Sequence, residues 1–210
     1  MAGKEYENKY YAQGFTYIAG TDEAGRGPLA GPVVVGACIL PKNYDNPLID
    51  DSKKLTDKKR RELFEIIKDV ALAYSIIIIG PEEIDRTNIY ECARHGMSEA
   101  IRSLGDLVDV ILTDAMPLKN FNQPLEAIIK GDANSQTIAA ASILAKVTRD
   151  DLMIEYDKLY PQYNFAKNKG YGTKDHFDAL EKYGPCPIHR KTFEPIRSMI
   201  ALKLDLHFDD

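Results

Sequence analysis

The chain has 210 residues and a net charge of −5, with three cysteines, Cys38, Cys92 and Cys186, set far apart without a C-x-x-C pair. That length fits one domain, or one domain with a small appendage, and the sparse odd cysteines exclude a disulfide framework and point to a reducing compartment. No apolar run approaches a membrane span, and Met1–Tyr11 is charged and tyrosine-rich, without a signal-like apolar region, so a soluble cytoplasmic protein is expected.

In chain order, Tyr17–Asp22 reads as a strand. A Gly/Pro-rich turn follows, and Val33–Leu40 is a β-branched run able to pair back on the first strand before Pro41 ends it. Thr56 is placed to cap a helix over 57–70, with Leu63, Phe64, Ile66, Ile67 and Val70 as its apolar stripe. Ala73–Ile79 is a strand stopped by Gly80-Pro81. Asn88, with Glu91 three residues on, caps a helix running to about Leu104, where Gly105 stops it.

Two short strands then each deliver an acid at or just past the carboxyl end: Val108–Thr113 leads into Asp114, and Leu125–Ile129 leads into Lys130-Gly131-Asp132. A long helix starts at Asn134 or Ser135 and runs to about Leu159, its alanines permitting close packing on a sheet, and Pro161 ends it. Asp132 has an alternative use as a cap for this helix. A polar, aromatic loop reaches Tyr171, Thr173 caps a helix to about Tyr183, and a last helix covers about 193–204. Strands early and helices late imply an α/β body with a helical C-terminal extension.

The most informative stretch is Tyr17-Ile-Ala-Gly-Thr-Asp-Glu-Ala-Gly-Arg-Gly-Pro-Leu-Ala-Gly-Pro32. Asp22 and Glu23 offer hard oxygen ligands suited to Mg²⁺ or Mn²⁺, while Gly25 and Gly27 let backbone amides approach an anion with Arg26 between them. Adjacent strand residues face opposite ways, so a bulge or strand end is expected at Asp22–Glu23 if both are to reach one ion. Gly25-x-Gly27 followed by Gly31 does not match G-x-G-x-x-G, and Pro28 falls where a nucleotide-binding helix would need free amides, which counts against a nucleotide-binding module. None of the four histidines has zinc-ligand spacing with the cysteines, and the G-x-S-x-G signature of a serine hydrolase is missing. Asp150, four residues after Lys146 on the long helix, reads as half of a surface ion pair.

The opening motif resembles that of the type 2 ribonucleases H, most closely bacterial ribonuclease HII. Asp51-Ser-Lys-Lys-Leu55, Leu112-Thr-Asp114, Lys130-Gly-Asp132, Ala140-Ala-Ser-Ile-Leu-Ala-Lys-Val-Thr-Arg-Asp150, Lys169-Gly-Tyr-Gly-Thr173 and His189-Arg190 match the same family in order, from about Tyr17 to about Ile200. Where the family most often has glycine after the third acid, this chain has Ala115-Met116. The resemblance implies a ribonuclease H-like fold with a five-stranded mixed sheet flanked by helices. It also implies a division into an N-terminal extension (1–16), a catalytic core (17–160) and a helical C-terminal region (161–210).

By the same resemblance the chain is a metal-dependent endoribonuclease acting on RNA–DNA hybrids and on duplex DNA containing ribonucleotides, as a monomer and away from membranes. Asp22, Glu23, Asp114 and Asp132 are the implied holders of two divalent ions, Mn²⁺ or Mg²⁺. Gly25, Arg26 and Gly27 are implied to contact the ribonucleotide and its phosphate, Lys53 to position phosphate, and Tyr171 to stack on the sugar at the RNA–DNA junction. From composition alone Tyr171 is one of 12 tyrosines and reads as a packing residue. Another nuclease of the same broad fold is the alternative within the enzyme class.

Overall fold

The computed structural model describes residues 2–205, with side chains to residue 202, so His207 lies outside the described residues. Its elements are α1 (Glu5–Ala12), β1 (Ile18–Ala24), β2 (Val33–Ile39), α2 (Asp57–Val70), β3 (Ala73–Ile79), α3 (Pro81–Arg86), α4 (Ile89–Arg102), β4 (Val110–Asp114), β5 (Leu125–Ile128), α5 (Gly131–Asn134), α6 (Gln136–Leu159), α7 (Phe165–Asn168), α8 (Lys174–Tyr183) and α9 (Ile196–Asp205). The expected caps are present. Lys59 N–H donates to Thr56 Oγ1 at 3.3 Å, Glu91 N–H to Asn88 Oδ1 at 2.9 Å, and His176 N–H to Thr173 Oγ1 at 3.3 Å, each satisfying a donor that helix geometry leaves without a partner. Helix α1 was not foreseen, because three tyrosines among charges give no clean apolar period.

The five strands form one mixed sheet, as the family resemblance implied, and their order is β3-β2-β1-β4-β5. β1 pairs antiparallel with β2 and parallel with β4, and β4 pairs parallel with β5. The chain forms two compact units. Among the described residues, one comprises residues 2–24, Val34–Ile78 and Ala93–Thr148; the other comprises Gly25–Val33, Ile79–Cys92 and residues 149–205.

In the first unit the sheet has a helix against each face. Ala19, Val35, Ala37 and Ile39 pack on Ala93, Met97, Ala100 and Ile101 of α4, whereas Cys38 and Leu40 pack on the alanine-rich face of α6 at Ala139, Ala140 and Ala141. That second contact is unusually close. A methyl group placed on Gly20 or Gly36 would come within 2.5 Å of the Thr137 backbone or 2.3 Å of the Ala141 carbonyl, so only glycine permits α6 to lie so near the sheet. The start of α6 is tied to α1: buried Glu7 Oε1 accepts Ser135 Oγ–H at 2.6 Å and Thr137 N–H at 2.9 Å, and Ser135 Oγ in turn accepts Ile138 N–H at 3.2 Å. Ser135 is therefore the cap of the long helix, and Asp132, in the separate short helix α5, is not.

In the second unit Leu29, Ala30, Met153, Tyr163, Phe165, Ala179, Leu180, Ile188 and Ile196 form the core. Asp150 is buried here, 4% exposed, rather than lying on the surface.

Candidate active site

The carboxylates converge through strand alternation. Gly20 and Asp22 leave β1 on the side covered by α6, and Leu112 and Asp114 leave β4 on the same side, since Leu112 packs with Ile138 of α6. Asp132 joins them from α5, which is anchored to β4 by a 2.7 Å hydrogen bond from Gly131 N–H to Asp114 Oδ1. The left-handed backbone at Ala115 (φ 52°) and Lys130 (φ 56°) turns the chain sharply after β4 and before α5.

Of the bulge or strand end expected at Asp22–Glu23, the bulge is absent and the strand end comes one residue later, at Ala24, while pairing with β4 already stops at Thr21. β1 stays in one-for-one register with β2 through Asp22↔Gly36, Glu23↔Val35 and Ala24↔Val34, and the break comes only at Gly25, whose φ is +100°. Glu23 therefore starts toward the opposite side of the sheet, although its charge still acts on Asp22. Asp22 Oδ1 accepts the Glu23 N–H at 2.7 Å.

The electrostatics show how crowded these acids are. Burial pushes the Asp22 carboxyl well above the usual carboxylate range, the charges of Glu23 and Asp114 push it further, and hydrogen bonds from Ser142 and the Glu23 N–H oppose this only in part. Asp132 is raised by burial and then by Asp51 and Asp114, with Lys53 acting against the rise. Lys53 is desolvated, which alone would lower it, yet the fields of Asp22, Asp132, Asp51 and Asp114 together raise it; its Nζ stands 4.0 Å from Asp132 Oδ2. Lys53 thus acts here as the cation among the acids. Two contributors were missed from the sequence as site residues: Ser142, on α6, and Ser52, whose Oγ lies 3.0 Å from Ser142 Oγ. Both stand in motifs quoted above, and for Ser142 a serine in an alanine run against a sheet was the available signal.

Among the described residues no group of three or more His, Cys, Asp or Glu side chains is arranged as a ready-made metal cage. The donor set nonetheless fits a hard divalent ion. Oxygen-only ligands are what Mg²⁺ and Mn²⁺ take, and the repulsion that raises Asp22 and Asp132 is what a cation would relieve.

The glycine turn and Tyr171 belong to the second unit, where two buried arginines hold the turn from within. Arg190 donates from Nε to Gly31 O at 3.0 Å, from Nη1 to Arg26 O at 2.9 Å and from Nη2 to Gly25 O at 2.6 Å. Arg149 donates from Nε to Pro32 O at 3.0 Å, from Nη1 to Lys169 O at 3.0 Å and from Nη2 to Ala30 O at 3.2 Å. Five carbonyls of the segment 25–32 are thereby fixed by planar forks that lysine could not supply. A Cβ on Gly25 would fall 2.1 Å from Arg149 Nε, so the second function of this glycine is to admit the guanidinium. Burial, and then the charge of Arg149, pushes Arg190 down to about 9, which leaves it protonated at neutral pH. Tyr171 is 47% exposed, and its Cε1 would lie 3.7 Å from a Cβ on Gly27, so the tyrosine and the turn are neighbours. The roles of Arg149 and Arg190 were not read from the sequence, where Arg190 stood merely in a basic cluster.

Behind Tyr171 lies a buried histidine pair, His176 Nε2 and His189 Nε2 being 2.9 Å apart. Burial, and then His176, pushes His189 down to about 4, and burial lowers His176 as well. Tyr163, Phe165 and Cys186 face the pair, Arg190 follows in the chain, and Glu82, Asp85 and Lys191 line a cavity shared with His189. A folded-state pKa below the ordinary 6.5 contributes stability that is complete above about pH 6.5 and is lost as pH falls toward 4. The loss for His189 is about 3 kcal/mol by linkage. Asp22 and Asp132, with raised values, act with the opposite sign. Urea unfolding at pH 7, 5.5 and 4.5 is therefore expected to show a shallower decline in His189→Gln than in the wild type, and equal slopes would refute the assignment.

The sequence profile of the family described as Ribonuclease HII matches residues 19–196. A ribonuclease HII of Caldanaerobacter subterraneus subsp. tengcongensis is 54% identical over 190 residues, 90% of this chain and 79% of that protein, and one of Listeria innocua is 50% identical over 206 residues, 98% and 77%. Among solved structures, ribonuclease H2 from Pyrococcus horikoshii OT3 superposes with a TM-score of 0.77 at 28% identity, covering 89% of this chain and 98% of that one. Bst-RNase HIII in complex with Mn²⁺ has a TM-score of 0.67 at 14% identity, covering 89% and 70%, and shares the fold. With half or more of its residues identical to such enzymes along nearly its whole length, the chain belongs to the ribonuclease HII family, endoribonucleases that act on RNA–DNA hybrids.

Proposed function

We propose that the protein cuts the strand on the 5′ side of a ribonucleotide, including a single ribonucleotide embedded in duplex DNA, and leaves 3′-hydroxyl and 5′-phosphate ends. The observation that carries this reading is the crowding of Asp22, Asp114 and Asp132 on one side of the sheet, with Glu23 next in the chain. Those four carboxylates would hold Mg²⁺ or Mn²⁺, and a bound pair of ions would supply charge neutralisation, an activated water and stabilisation of the departing 3′-oxygen. The Mn²⁺ complex of a protein with this fold agrees with that choice of ion.

The remaining roles fall to the chain's own groups. Backbone amides of Gly25–Gly27, whose Gly25 and Arg26 carbonyls are held from behind by Arg190, would sense the 2′-hydroxyl, and Arg26 would hold the adjoining phosphate. Lys53, placed among the acids, would exchange Asp132 for a phosphate oxygen once the carboxylates are neutralised. Tyr171, half-exposed beside Gly27, would stack on the sugar following the ribose. We infer further that residues 17–160 carry the chemistry and 161–210 assist in binding. We also infer that the enzyme works as a monomer in the cytoplasm, removing ribonucleotides from DNA and processing RNA primers. No helix among the described residues is long and apolar enough to cross a membrane.

The test is cleavage of a labelled duplex carrying one ribonucleotide beside an all-DNA duplex of the same sequence, with chelator and then Mg²⁺ or Mn²⁺ added back. Cutting 5′ of the ribonucleotide alone, abolished by chelator and restored by either ion, is the expected result. Chelator-resistant cleavage, or equal cutting of the all-DNA duplex, would reject the proposal.

A further inference from the structure

The histidine pair has a proton arrangement that its neighbours dictate. Cys186 N–H donates to His189 Nδ1 at 2.9 Å, so that nitrogen carries no proton and His189 must bear its hydrogen on Nε2. That hydrogen points at His176 Nε2, 2.9 Å away, which therefore accepts. His176 is left with its hydrogen on Nδ1, 2.9 Å from the Tyr171 carbonyl oxygen, which can only accept. His189 Nδ1 also lies 3.2 Å from the Cys186 carbonyl oxygen, but that oxygen already accepts the His189 N–H at 3.0 Å, and the three shorter links of 2.9 Å agree with both rings being neutral and each in one tautomer.

The chain ends on the residue that the glycine turn faces. The Tyr171 carbonyl also accepts Thr173 N–H at 2.8 Å, and the Tyr171 N–H donates to Asn168 O at 2.9 Å, so the peptide groups on either side of this exposed ring are held while the ring itself stands in solvent. The other end reaches the turn by a second route. Ala30 bridges His189, Gly31 N–H donates to Ile188 O at 2.9 Å, Arg190 N–H donates to Leu29 O at 2.9 Å, and Leu29 N–H donates to Gly170 O at 2.8 Å. Tyr163 and Phe165 enclose the pair, with ring centroids 5.0 Å from His189 and 5.4 Å from His176. Two apolar rings would fill that space without the cost of burying imidazoles, but they could not direct a hydrogen bond at a carbonyl.

We propose that His176 and His189 are positioning residues for the reaction: a neutral, single-tautomer relay from the Cys186 backbone to the Tyr171 carbonyl that fixes where the Tyr171 ring stands, and hence how well a ribonucleotide–deoxyribonucleotide junction is told from continuous RNA. This rests on the reading of Tyr171 as the junction contact given above. His176→Phe keeps a ring and removes the donor. His176→Asn puts an amide N–H close to where Nδ1–H stood.

The experiment compares wild type, Tyr171→Ala, His176→Phe, the double variant and His176→Asn on a single-ribonucleotide duplex and on a continuous RNA strand paired with DNA. We expect kcat/KM on the single-ribonucleotide duplex to fall about tenfold in His176→Phe, relative to continuous RNA. The double variant should fall no further than Tyr171→Ala, and His176→Asn should stay within threefold of wild type. Nitrogen NMR of the histidine rings should show Nε2–H on His189 and Nδ1–H on His176, each exchanging slowly. If Tyr171→Ala loses the discrimination while folded His176→Phe keeps it, the positioning role is overturned and the reading of Tyr171 stands. If Tyr171→Ala behaves as wild type, that reading fails and the relay's role falls with it. Should His176→Phe not fold, His176→Asn decides: retained discrimination supports the relay, and its loss in a folded protein, or the opposite tautomers by NMR, refutes it.

Discussion

Asp114→Asn is expected to lower metal-stimulated cleavage about a thousandfold, roughly 4 kcal/mol of transition-state stabilisation, without lowering the melting temperature. The amide keeps an Oδ1 able to accept the Gly131 N–H, so the junction between β4 and α5 survives. What it removes is one charge from a group of acids that repel one another, as the raised Asp22 and Asp132 carboxyls show. The sign follows from linkage. A carboxyl whose folded pKa lies above its unfolded value favours the fold while protonated, at low pH, and that stability is lost as pH rises through the folded pKa. At neutral pH the metal-free protein therefore bears a cost from these charges, and either Asp114→Asn or Asp22→Asn reduces it. Added Mn²⁺ should raise the wild-type melting temperature by binding the native state, and should do so much less in either variant. Cleavage within tenfold of wild type, or an unchanged response to Mn²⁺, would remove these residues from the ion-binding set.

Arg190→Met should be the most destabilising single change in the second unit. Arg190 is fully buried and bonds three carbonyls, at Gly25, Arg26 and Gly31. Truncation to an apolar chain leaves those acceptors without their donors in a site that water reaches poorly, at about 1–3 kcal/mol for each unsatisfied group. A loss of at least about 3 kcal/mol is expected, a fall of roughly 6–12 °C in melting temperature for a chain of this size. Arg190→Lys should recover only part, because one ammonium cannot reproduce a fork that reaches three oxygens. Since the Gly25 and Arg26 carbonyls are among those released, the KM for a ribonucleotide-containing duplex should rise in whatever fraction folds. A melting temperature within 2 °C of wild type would show that the turn does not depend on this clamp.

These two predictions separate what was legible in the chain from what was not. Asp114 was readable as a strand-end acid because it closes a short apolar run, whereas its grouping with Asp22 and Asp132 was what the family resemblance implied, and the caps at Thr56, Asn88 and Thr173 were readable because capping is a local bond between residues three apart. The bulge, the first of the two forms expected at Asp22–Glu23, failed for the same reason in reverse. A demand for convergence was imposed on a strand whose pairing with β2 continues two residues further. Asp132 offered two local roles, and the 2.7 Å bond between Gly131 and Asp114, 17 positions apart, placed it beside β4, while Ser135 capped α6.

The sequence by itself determined the strand and helix order, the acids that end or follow the central strands, and the membership of a family whose motifs recur in order along it. Those are properties of spacing between near neighbours, which the chain carries openly. Only the tertiary structure decided that Arg149 and Arg190 spend their charge on backbone carbonyls, that Lys53 stands among the acids, and that two histidines support Tyr171. A guanidinium, an ammonium or an imidazole looks the same in a sequence whether solvated or buried. Its role is set by partners 13 to 165 positions away that only folding brings within 3 to 4 Å.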